Sequence, residues 1–316
     1  MTRNKSTAPS ARSLPGQDGG WLDSLDVRVS LPVDVSLPAP LEVIEIQPEN
    51  VQKLEGGSQI GSQIIAVVAP KGGLGKTTVA TNLAVGLARL APMSVVIVDA
   101  DVQFGDVAMA LDLDPIYTLP DAVTQAAAED PLVLKTFLTP HSGNLYAVCG
   151  SLRPSDGDRV SGDQLSHLIM QLAETFQFVI IDTAPGLGEH SLAAVELATD
   201  AVFLCDMSVP SARGLRKELA TLTDIGIMPP VRHIVLNLAD RHSGLSVRDI
   251  EEMIGVPVDI AVPRSSIVAL STNRGVPLLL ETRRNTASTA LNKLVQRVDV
   301  NSKHKRGQLH RQVVVA

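Results

Sequence analysis

The segment KGGLGKTT, residues 71–78, constrains the fold of this chain more than any other part of its sequence. The aliphatic run QIIAVVAP precedes it, and KTTVATNLAVGLARL follows, with Val79, Leu83, Leu87 and Leu90 spaced as one helix face. A strand, a glycine-rich turn and a helix in this order are typical of a phosphate-binding loop. Glycines let backbone N–H groups turn inward, and a helix N-terminus favours an anion. The pattern therefore predicts an α/β fold with a phosphate site at the turn.

Each residue type in the turn has its own expected contact with a nucleotide. Lys76 is expected to reach the β- and γ-phosphates, Thr77 to give its hydroxyl to Mg²⁺, and Thr78 to bond another phosphate oxygen. The backbone of the glycine-rich turn would cradle the phosphates. The predicted nucleotide-binding residues of the turn are Gly72, Gly73, Leu74, Gly75, Lys76, Thr77 and Thr78.

The turn departs from the usual pattern G-x-x-x-x-G-K-[ST] at one position and carries one extra cation. Pro70 stands where the pattern has its first glycine, and an extended backbone at a strand end tolerates proline. The phosphate contacts come from residues nearer the second glycine, so Pro70 is compatible with binding. Lys71, which the usual pattern does not require, raises the question of a separate role.

Further aliphatic segments alternate with helix-like segments over residues 61–300. Aromatic residues make up only 3% of the chain, so the core must be built from aliphatic side chains, as in a parallel sheet covered by helices. We therefore predict an α/β fold with a mostly parallel, doubly wound sheet flanked by helices. The predicted strands are QIIAVVAP, MSVVIVDAD, FQFVIIDTAPG, ATDAVFLCDMS, VRHIVLNLAD and VPVDIAVP. The later predicted helices are GDQLSHLIMQLAETF (capped by Ser161 or Asp163), SARGLRKELATLTDIG (ending at Gly226), SVRDIEEMIG and TASTALNKLVQRV.

The two ends of the chain differ in composition from residues 61–300. Residues 1–60 are rich in Pro, Ser and Gly and are predicted to be largely disordered, with LEVIEIQ at residues 41–47 as a short edge strand. Residues 301–316 are predicted to be a basic, flexible tail.

No run of 18 apolar residues is present, so no transmembrane segment is expected. Cys149 and Cys205 are far apart and are expected to be buried core thiols in a reducing cytosol.

Three aspartates are placed by the strand pattern at one edge of the sheet. Asp99 and Asp101 end the second predicted strand, and residues i and i+2 of an extended chain point the same way. Asp182 ends the third predicted strand. Because ligands of α/β sheets bind at the carboxyl ends of the strands, we expect these carboxylates at the phosphate site.

The string KGGLGKTT resembles the deviant Walker A loop of the ParA/MinD family of P-loop ATPases, and the resemblance extends over residues 63–298. It implies binding of ATP and Mg²⁺ and a homodimer that forms on ATP. In that family the lysine that matches Lys71 reaches the partner's phosphates, so the resemblance implies that Lys71, Lys76 and Asp101 serve catalysis. Asp101 would position the attacking water.

The same resemblance assigns the metal and the base contacts. Asp182 and Thr77 would hold Mg²⁺, and Asp99 would be a metal-shell residue or a structural partner. Asn237 matches the asparagine that holds adenine, although Leu238 follows it where the family often has arginine. Pro263 begins a segment that matches one near the base.

Two longer segments, DADVQFGDVAMALDL and DTAPGLGEHSLAAVELATDAVFL, look like the CpaE/TadZ branch of this family. Proteins of that branch localise to cell poles and help place tight-adherence pilus machinery. The resemblance implies a slow, partner-stimulated ATPase that acts as a positioning switch. It would be cytoplasmic, with recruitment to the pole or the inner face of the membrane through protein partners.

Three other functions remain alternatives. In plasmid or chromosome partition the ATP-bound dimer binds DNA, which needs a basic surface, whereas the chain has a net charge of -7. Placement of the division site is the second alternative, although the tail offers no long apolar helix face. An iron–sulfur carrier on the same fold, using the two cysteines, is the third. The basic residues that favour nucleic-acid binding are Arg283, Arg284, Lys293, Arg297, Lys303, Lys305, Arg306 and Arg311.

Overall fold

The structure is a computed structural model that describes residues 61–281 and 285–312, with side chains described as far as residue 300. The elements below belong to one compact unit, Gly56–Ala316. The strands are β1 (Gln63–Val68), β2 (Val95–Ala100), β3 (Thr139–His141), β4 (Leu145–Val148), β5 (Phe178–Thr183), β6 (Asp200–Cys205), β7 (Val231–Ala239) and β8 (Ile260–Pro263). The helices are α1 (Lys76–Ala88), α2 (Val107–Ala110), α3 (Leu119–Ala122), α4 (Gln125–Glu129), α5 (Pro131–Thr136), α6 (Pro154–Gly157), α7 (Gly162–Thr175), α8 (Glu189–Leu197), α9 (Val209–Asp224), α10 (Val247–Ile254), α11 (Ser266–Asn273) and α12 (Thr286–Gln312).

Within the described residues, the eight strands form one sheet in the order β3-β4-β2-β5-β1-β6-β7-β8. β3 runs antiparallel to β4, and every other neighbouring pair is parallel. The carboxyl ends of the central strands β2, β5 and β1 therefore lie along one edge, and Asp99 of β2 is in register with Asp182 of β5. The predicted fold class is confirmed, with the phosphate loop at the end of the central strand.

Helices cover both faces of the sheet. Along β1, Ile65 and Val67 pack into a cluster with residues of α1 and α12, whereas Ala66 and Val68 pack into a cluster with α9 and α10. A third cluster lies between α7 and the strands β2, β4 and β5. Strands buried on both faces have no polar face, which is why they appear in the sequence as continuous aliphatic runs.

The helix after the phosphate loop is buried on nearly every side. It lies between the sheet and α12, so Val79, Leu83 and Leu87 are buried as predicted, together with most residues between them. Leu90 is 54% exposed, which corrects its predicted place on the buried face. The reason is that α1 ends at Ala88 and the chain turns before Leu90.

Side-chain caps explain where two of the predicted helices begin and end. Ser161 Oγ accepts a hydrogen bond from Gln164 N–H, while Gln164 Oε1 accepts one from Ser161 N–H, so Ser161 rather than Asp163 caps α7. Gly226, with φ 78°, follows the end of α9 in the left-handed region, as predicted for a helix-terminating glycine.

The segments without a sequence prediction are short. β3 and β4 have three and four residues, too few for a periodic pattern, and several helices between β2 and α7 have four to six residues.

α12 continues to Gln312, past residue 300 and into the predicted flexible tail. Residues 301–312 contain no proline and many Lys, Arg and Gln residues, which favour helix continuation. The predicted disordered segment, residues 1–60, and its edge strand lie outside the described residues.

Candidate functional site

The glycine-rich turn has the backbone that the sequence predicts. Gly73 and Gly75 adopt φ values of 77° and 83°, in the left-handed region that disfavours a side chain. Gly72 packs near Pro185, whose Cγ would lie 3.8 Å from an added Cβ. The turn and the N-terminus of α1 thus form the concave backbone surface that suits a phosphate group.

Asn237 supports this turn from behind. Its side chain is buried, 5% exposed, and its Nδ2 donates a 2.8 Å hydrogen bond to the carbonyl oxygen of Leu74. A Cβ at Gly75 would overlap that amide nitrogen. The adenine contact expected for Asn237 remains a prediction, because the structure places the amide against the turn. Leu74, whose backbone we expected at the phosphates, has its side chain in the core and its carbonyl on Asn237.

An open cavity of about 330 Å³ lies over the turn. It brings together most of the predicted phosphate-contacting residues, with Asp101 on its wall. The predicted site residues that do not line it are Lys71, Leu74, Asp99, Asp182, Asn237 and Pro263. The residues that line it are Gly72, Gly73, Gly75, Lys76, Thr77, Thr78, Asp101, Phe104, Asp106, Met109, Ala110, Pro185 and Thr272.

The two lysines of the turn lie in opposite environments. Lys76 is 8% exposed, and its burial lowers the pKa of its ammonium group, an effect opposed by the charges of Asp182, Asp101 and Glu218. Lys71 is exposed. One cation therefore belongs to the cavity of its own chain, while the other is accessible to a second molecule.

Asp182 lies beneath Thr77 and lacks a full set of hydrogen bonds. It is 1% exposed, and burial raises the pKa of its carboxyl group to about 7, although the Thr77 hydroxyl donates to it and Lys76 lies nearby. Its Oδ1 has no hydrogen-bond partner among the described residues. An unpaired buried carboxylate oxygen beside a hydroxyl is an arrangement that a hard divalent cation satisfies.

The protein supplies only part of such a coordination shell. In the part of the chain that the structure describes, no group of three or more His, Cys, Asp or Glu side chains is arranged to hold a metal ion. A cation at Asp182 and Thr77 therefore needs further ligands from a bound phosphate group or from water, as Mg²⁺ at nucleotide sites usually has.

Asp99 has a structural role rather than a place in the cavity. It is fully buried and accepts hydrogen bonds from the backbone N–H groups of Val107 (3.0 Å) and Asp101 (3.2 Å). A Cβ at Gly105 would overlap its carboxylate, so this side chain fills the inside of the turn after β2. Burial and the nearby Asp182 raise the pKa of Asp99 well above its ordinary value. Of its two predicted roles, the geometry favours the structural one.

Asp101 is the carboxylate that this turn presents to the cavity. Its side chain is half-buried, lines the cavity and accepts a 3.2 Å hydrogen bond from the backbone N–H of Phe104. The turn is itself fixed by Asp99, so Asp101 has a defined position above the phosphate loop. That position suits a carboxylate that orients a water molecule.

Several residues of the cavity escaped sequence reasoning. Thr272 of α11 lies with its hydroxyl 3.4 Å from that of Thr78, and Phe104 and Met109 are 73% and 71% exposed at the rim. The exposed apolar side chains could have been noted in the segment after β2, but no local pattern places Thr272 near the turn. Pro263 lines a different cavity, beside Asp240 and Arg241, so its predicted base contact stays a prediction.

The two cysteines are free, fully buried core residues. Burial raises the pKa of Cys149 to about 11 and that of Cys205 to about 12, so both thiols are neutral at physiological pH. Neither side chain reaches a surface at which a second subunit could share a metal cluster, which argues against the iron–sulfur alternative.

Comparison with known families identifies the domain that carries this site. The AAA_31 family, described as an AAA domain, matches residues 62–227. The chain belongs to the AAA_31 family. This match spans the phosphate loop, Asp99, Asp101 and Asp182. Together with the relatives below, this match supports the predicted resemblance to P-loop ATPases of the ParA/MinD type.

The relatives of this AAA_31 protein cover most of its length. The septum site-determining protein MinD of Synechocystis sp. is 28% identical over 243 residues, which span 75% of this chain and 90% of that relative. The structure of MinD from Pyrococcus horikoshii, in complex with Mg-ADP, has a TM-score of 0.67 at 24% identity and covers 75% of this chain and 96% of its own. A ParA family ATPase from Chlorobium tepidum has a TM-score of 0.69 at 21% identity over 75% and 98% of the two chains.

Proposed function

We propose that this protein is an ATPase that dimerises when it binds ATP and acts as a switch for positioning other proteins. The observation that carries the proposal is the separation of the two lysines: Lys76 is buried in the cavity, whereas Lys71 is exposed at its edge. A phosphate loop that serves only its own chain needs one lysine. The second cation is explained if it completes the site of a neighbouring subunit.

The residues of the cavity, together with Asp182 beneath Thr77, have separate roles in binding and hydrolysis. The turn and Lys76 would bind the β- and γ-phosphates, and Thr77 and Asp182 would hold Mg²⁺, which would supply positive charge beside the phosphates. Asp101 orients a water molecule and takes its proton as the water oxygen attacks the γ-phosphorus. The bond between that phosphorus and the β–γ bridging oxygen breaks, and ADP and phosphate result.

In a face-to-face dimer, Lys71 of each subunit would contact the phosphates bound by the other. A fixed cation that meets charge developing on the transferred phosphate lowers the barrier, as an arginine finger does. Phe104 and Met109 at the cavity rim are exposed in the single chain and would be partly covered in such a dimer. Hydrolysis removes the γ-phosphate that both subunits share, so the dimer separates and the switch resets.

For the cargo, we propose machinery of the tight-adherence pilus type, because the segments after β2 and β5 resemble the CpaE/TadZ branch. Division-site placement is the second candidate, since the curated relatives that match most of the chain are MinD proteins. The two differ in what the ATP-bound dimer binds: a protein of the pilus assembly, or a membrane surface together with a second cell-division protein, as in the MinC:MinD complex of Aquifex aeolicus. No helix of the described residues is long and apolar enough to cross a bilayer.

DNA binding is less well supported than the sequence suggests. Arg297, one of the basic residues near the C-terminus, donates from Nη2 to Asp259 (2.6 Å) and from Nε to His233 (3.1 Å). These two contacts hold the guanidinium against the protein, which makes it less free to reach a phosphate backbone. Partition of DNA therefore remains an alternative that requires the other basic residues of the segment.

Calorimetry and light scattering test the proposal together. We expect the wild-type protein to bind Mg-ATP and Mg-ADP, but to double its mass only with Mg-ATP. Lys76→Ala should abolish binding, whereas Lys71→Ala should retain binding and lose hydrolysis. Lys135→Ala, an exposed lysine on α5, is the matched control and should behave as wild type. The proposal fails if the wild-type protein binds no nucleotide, or binds Mg-ATP and remains monomeric.

A further inference from the structure

Glu218 is a buried acidic residue without hydrogen-bonding partners. It lies on α9, is 4% exposed, and neither of its carboxylate oxygens has a hydrogen-bond partner among the described residues. Burying a carboxylate without partners is costly, so such a group is expected to have a specific reason for its position. Its neighbours on α9, including Leu215, Leu219 and Leu222, belong to the apolar cluster beneath the sheet.

The face of α9 that carries Glu218 lies against the start of the phosphate loop. Gly214, one helical turn before Glu218, is so close to Pro70 that an added Cβ would lie 3.0 Å from the Pro70 Cβ. Residues i and i+4 share a helix face, so Glu218 follows Gly214 along the same side of α9. The charges of Glu218 and Lys76 act on each other across this contact.

The other ionisable groups around α9 either lie away from Glu218 or are uncharged. On the sheet side, Cys205 of β6 keeps its proton because burial raises its pKa to about 12. Within the described residues, Lys76 is the charged group that acts on Glu218. The outer side of α9 faces α10 across an open groove lined by Arg213, Arg216, Lys217, Asp249 and Glu252.

We propose that Glu218 is a positioning residue that balances the charge of Lys76 in the empty loop and takes up a proton when a nucleotide binds. The inference rests on the proposed nucleotide site. In the empty loop, the nearby ammonium group favours the ionised form of Glu218. When phosphate oxygens surround Lys76, that charge is neutralised and the phosphates add negative charge of their own. Both changes favour the protonated form.

The ionisation of Glu218 falls in the range where this coupling affects binding. Burial raises the pKa of its carboxyl group to about 7, and Lys76 opposes the rise. A further rise on nucleotide binding means that binding is accompanied by proton uptake, so affinity falls as the pH increases through 7. If bound nucleotide raises the pKa of Glu218 by one unit, affinity falls about fivefold between pH 6 and pH 8.

Titration calorimetry of Mg-ATP at pH 6 and pH 8 tests the inference with Glu218→Gln. We expect equal affinities for the variant and the wild type at pH 6, and about fivefold tighter binding by the variant at pH 8. Repeating the pH 8 titration in buffers of different ionisation enthalpy should show lower proton uptake by the variant. Asp182 also titrates near neutral pH, but it contributes equally to both proteins.

Three further proteins make the result decisive. Glu218→Met suits the apolar surroundings and should give the same result if the glutamine variant is unstable. Glu218→Asp keeps an acidic group and should retain part of the pH dependence. Glu252→Gln, an exposed residue on α10, should match the wild type. Identical pH dependence in wild type and Glu218→Gln would overturn the inference and leave the nucleotide site intact, whereas no binding by the wild type would overturn both.

Discussion

Replacing Asn237 by alanine separates the two roles that this residue could have. The structure shows its amide donating to the Leu74 carbonyl at 2.8 Å behind the phosphate loop, whereas family resemblance assigns it to the adenine. If it supports the loop, the substitution weakens every ligand that the loop holds. If it holds the base, only ligands with a base are affected.

The expected magnitude follows from the burial of the bond. Asn237 is 5% exposed, so removing its amide leaves the Leu74 carbonyl unsatisfied in a dry environment. Such a loss lowers the free energy of unfolding by about 1–3 kcal/mol. If the same 1–3 kcal/mol is lost from the free energy of phosphate binding, because the loop is no longer held in its binding conformation, phosphate affinity falls by about 5- to 150-fold.

Calorimetry with two ligands distinguishes the roles. We expect Asn237→Ala to weaken Mg-ATP and magnesium tripolyphosphate by the same factor, while urea unfolding shows the loss of stability. Asn292→Ala, which removes a side-chain bond to Ser288 within α12, is the control and should change neither affinity. Weaker ATP binding with unchanged tripolyphosphate binding would refute the loop-supporting role.

Three other predictions test the groups around the loop. Gly75→Ala should cost more stability than Gly73→Ala in urea unfolding, because both have positive φ values but only Gly75 contacts Asn237; we expect about 2–4 kcal/mol against 1–2 kcal/mol. Glu218→Gln should reduce the pH dependence of stability: burial raises the pKa of this carboxyl to about 7, so its ionisation costs the folded wild type roughly 1.4 kcal/mol between pH 6 and pH 8, and the unfolding free energy of the variant should fall by about that much less, with Asp182 contributing equally to both proteins. Asp182→Asn should abolish the dependence of ATP affinity on Mg²⁺ and raise the stability of the nucleotide-free protein at pH 8, where the wild-type carboxylate, with its pKa raised to about 7, is ionised. Equal affinities with Mg²⁺ and with EDTA in the wild type would contradict this metal site.

The sequence was sufficient for features that depend on local pattern. The segment KGGLGKTT predicts a turn between a strand and a helix. The long aliphatic runs predict six of the strands, because buried parallel strands have no polar face. The aspartates at the ends of β2 and β5 follow from strand ends alone.

Features that depend on packing between distant segments were not accessible to the same reasoning. Asn237 is hydrogen-bonded to Leu74, and the hydroxyl groups of Thr272 and Thr78 are in contact, only because the folded sheet brings these distant segments together. Glu218 is spaced three residues from Leu215 and four from Leu222, but only the packed structure shows that its carboxylate is buried without hydrogen-bond partners among the described residues.

The central claim, that Lys71 acts in the partner's site, is tested most directly by mixing two inactive variants. Lys71→Ala keeps Asp101 and lacks the donated lysine, whereas Asp101→Ala keeps the lysine and lacks the residue that positions water. In a mixed dimer, the site of the Lys71→Ala subunit receives a lysine from its Asp101→Ala partner and is complete. If subunits pair at random, ATP hydrolysis by an equal mixture should recover to about one quarter of the wild-type rate. If Lys71 serves its own subunit, no site is complete and the mixture stays as inactive as either variant alone.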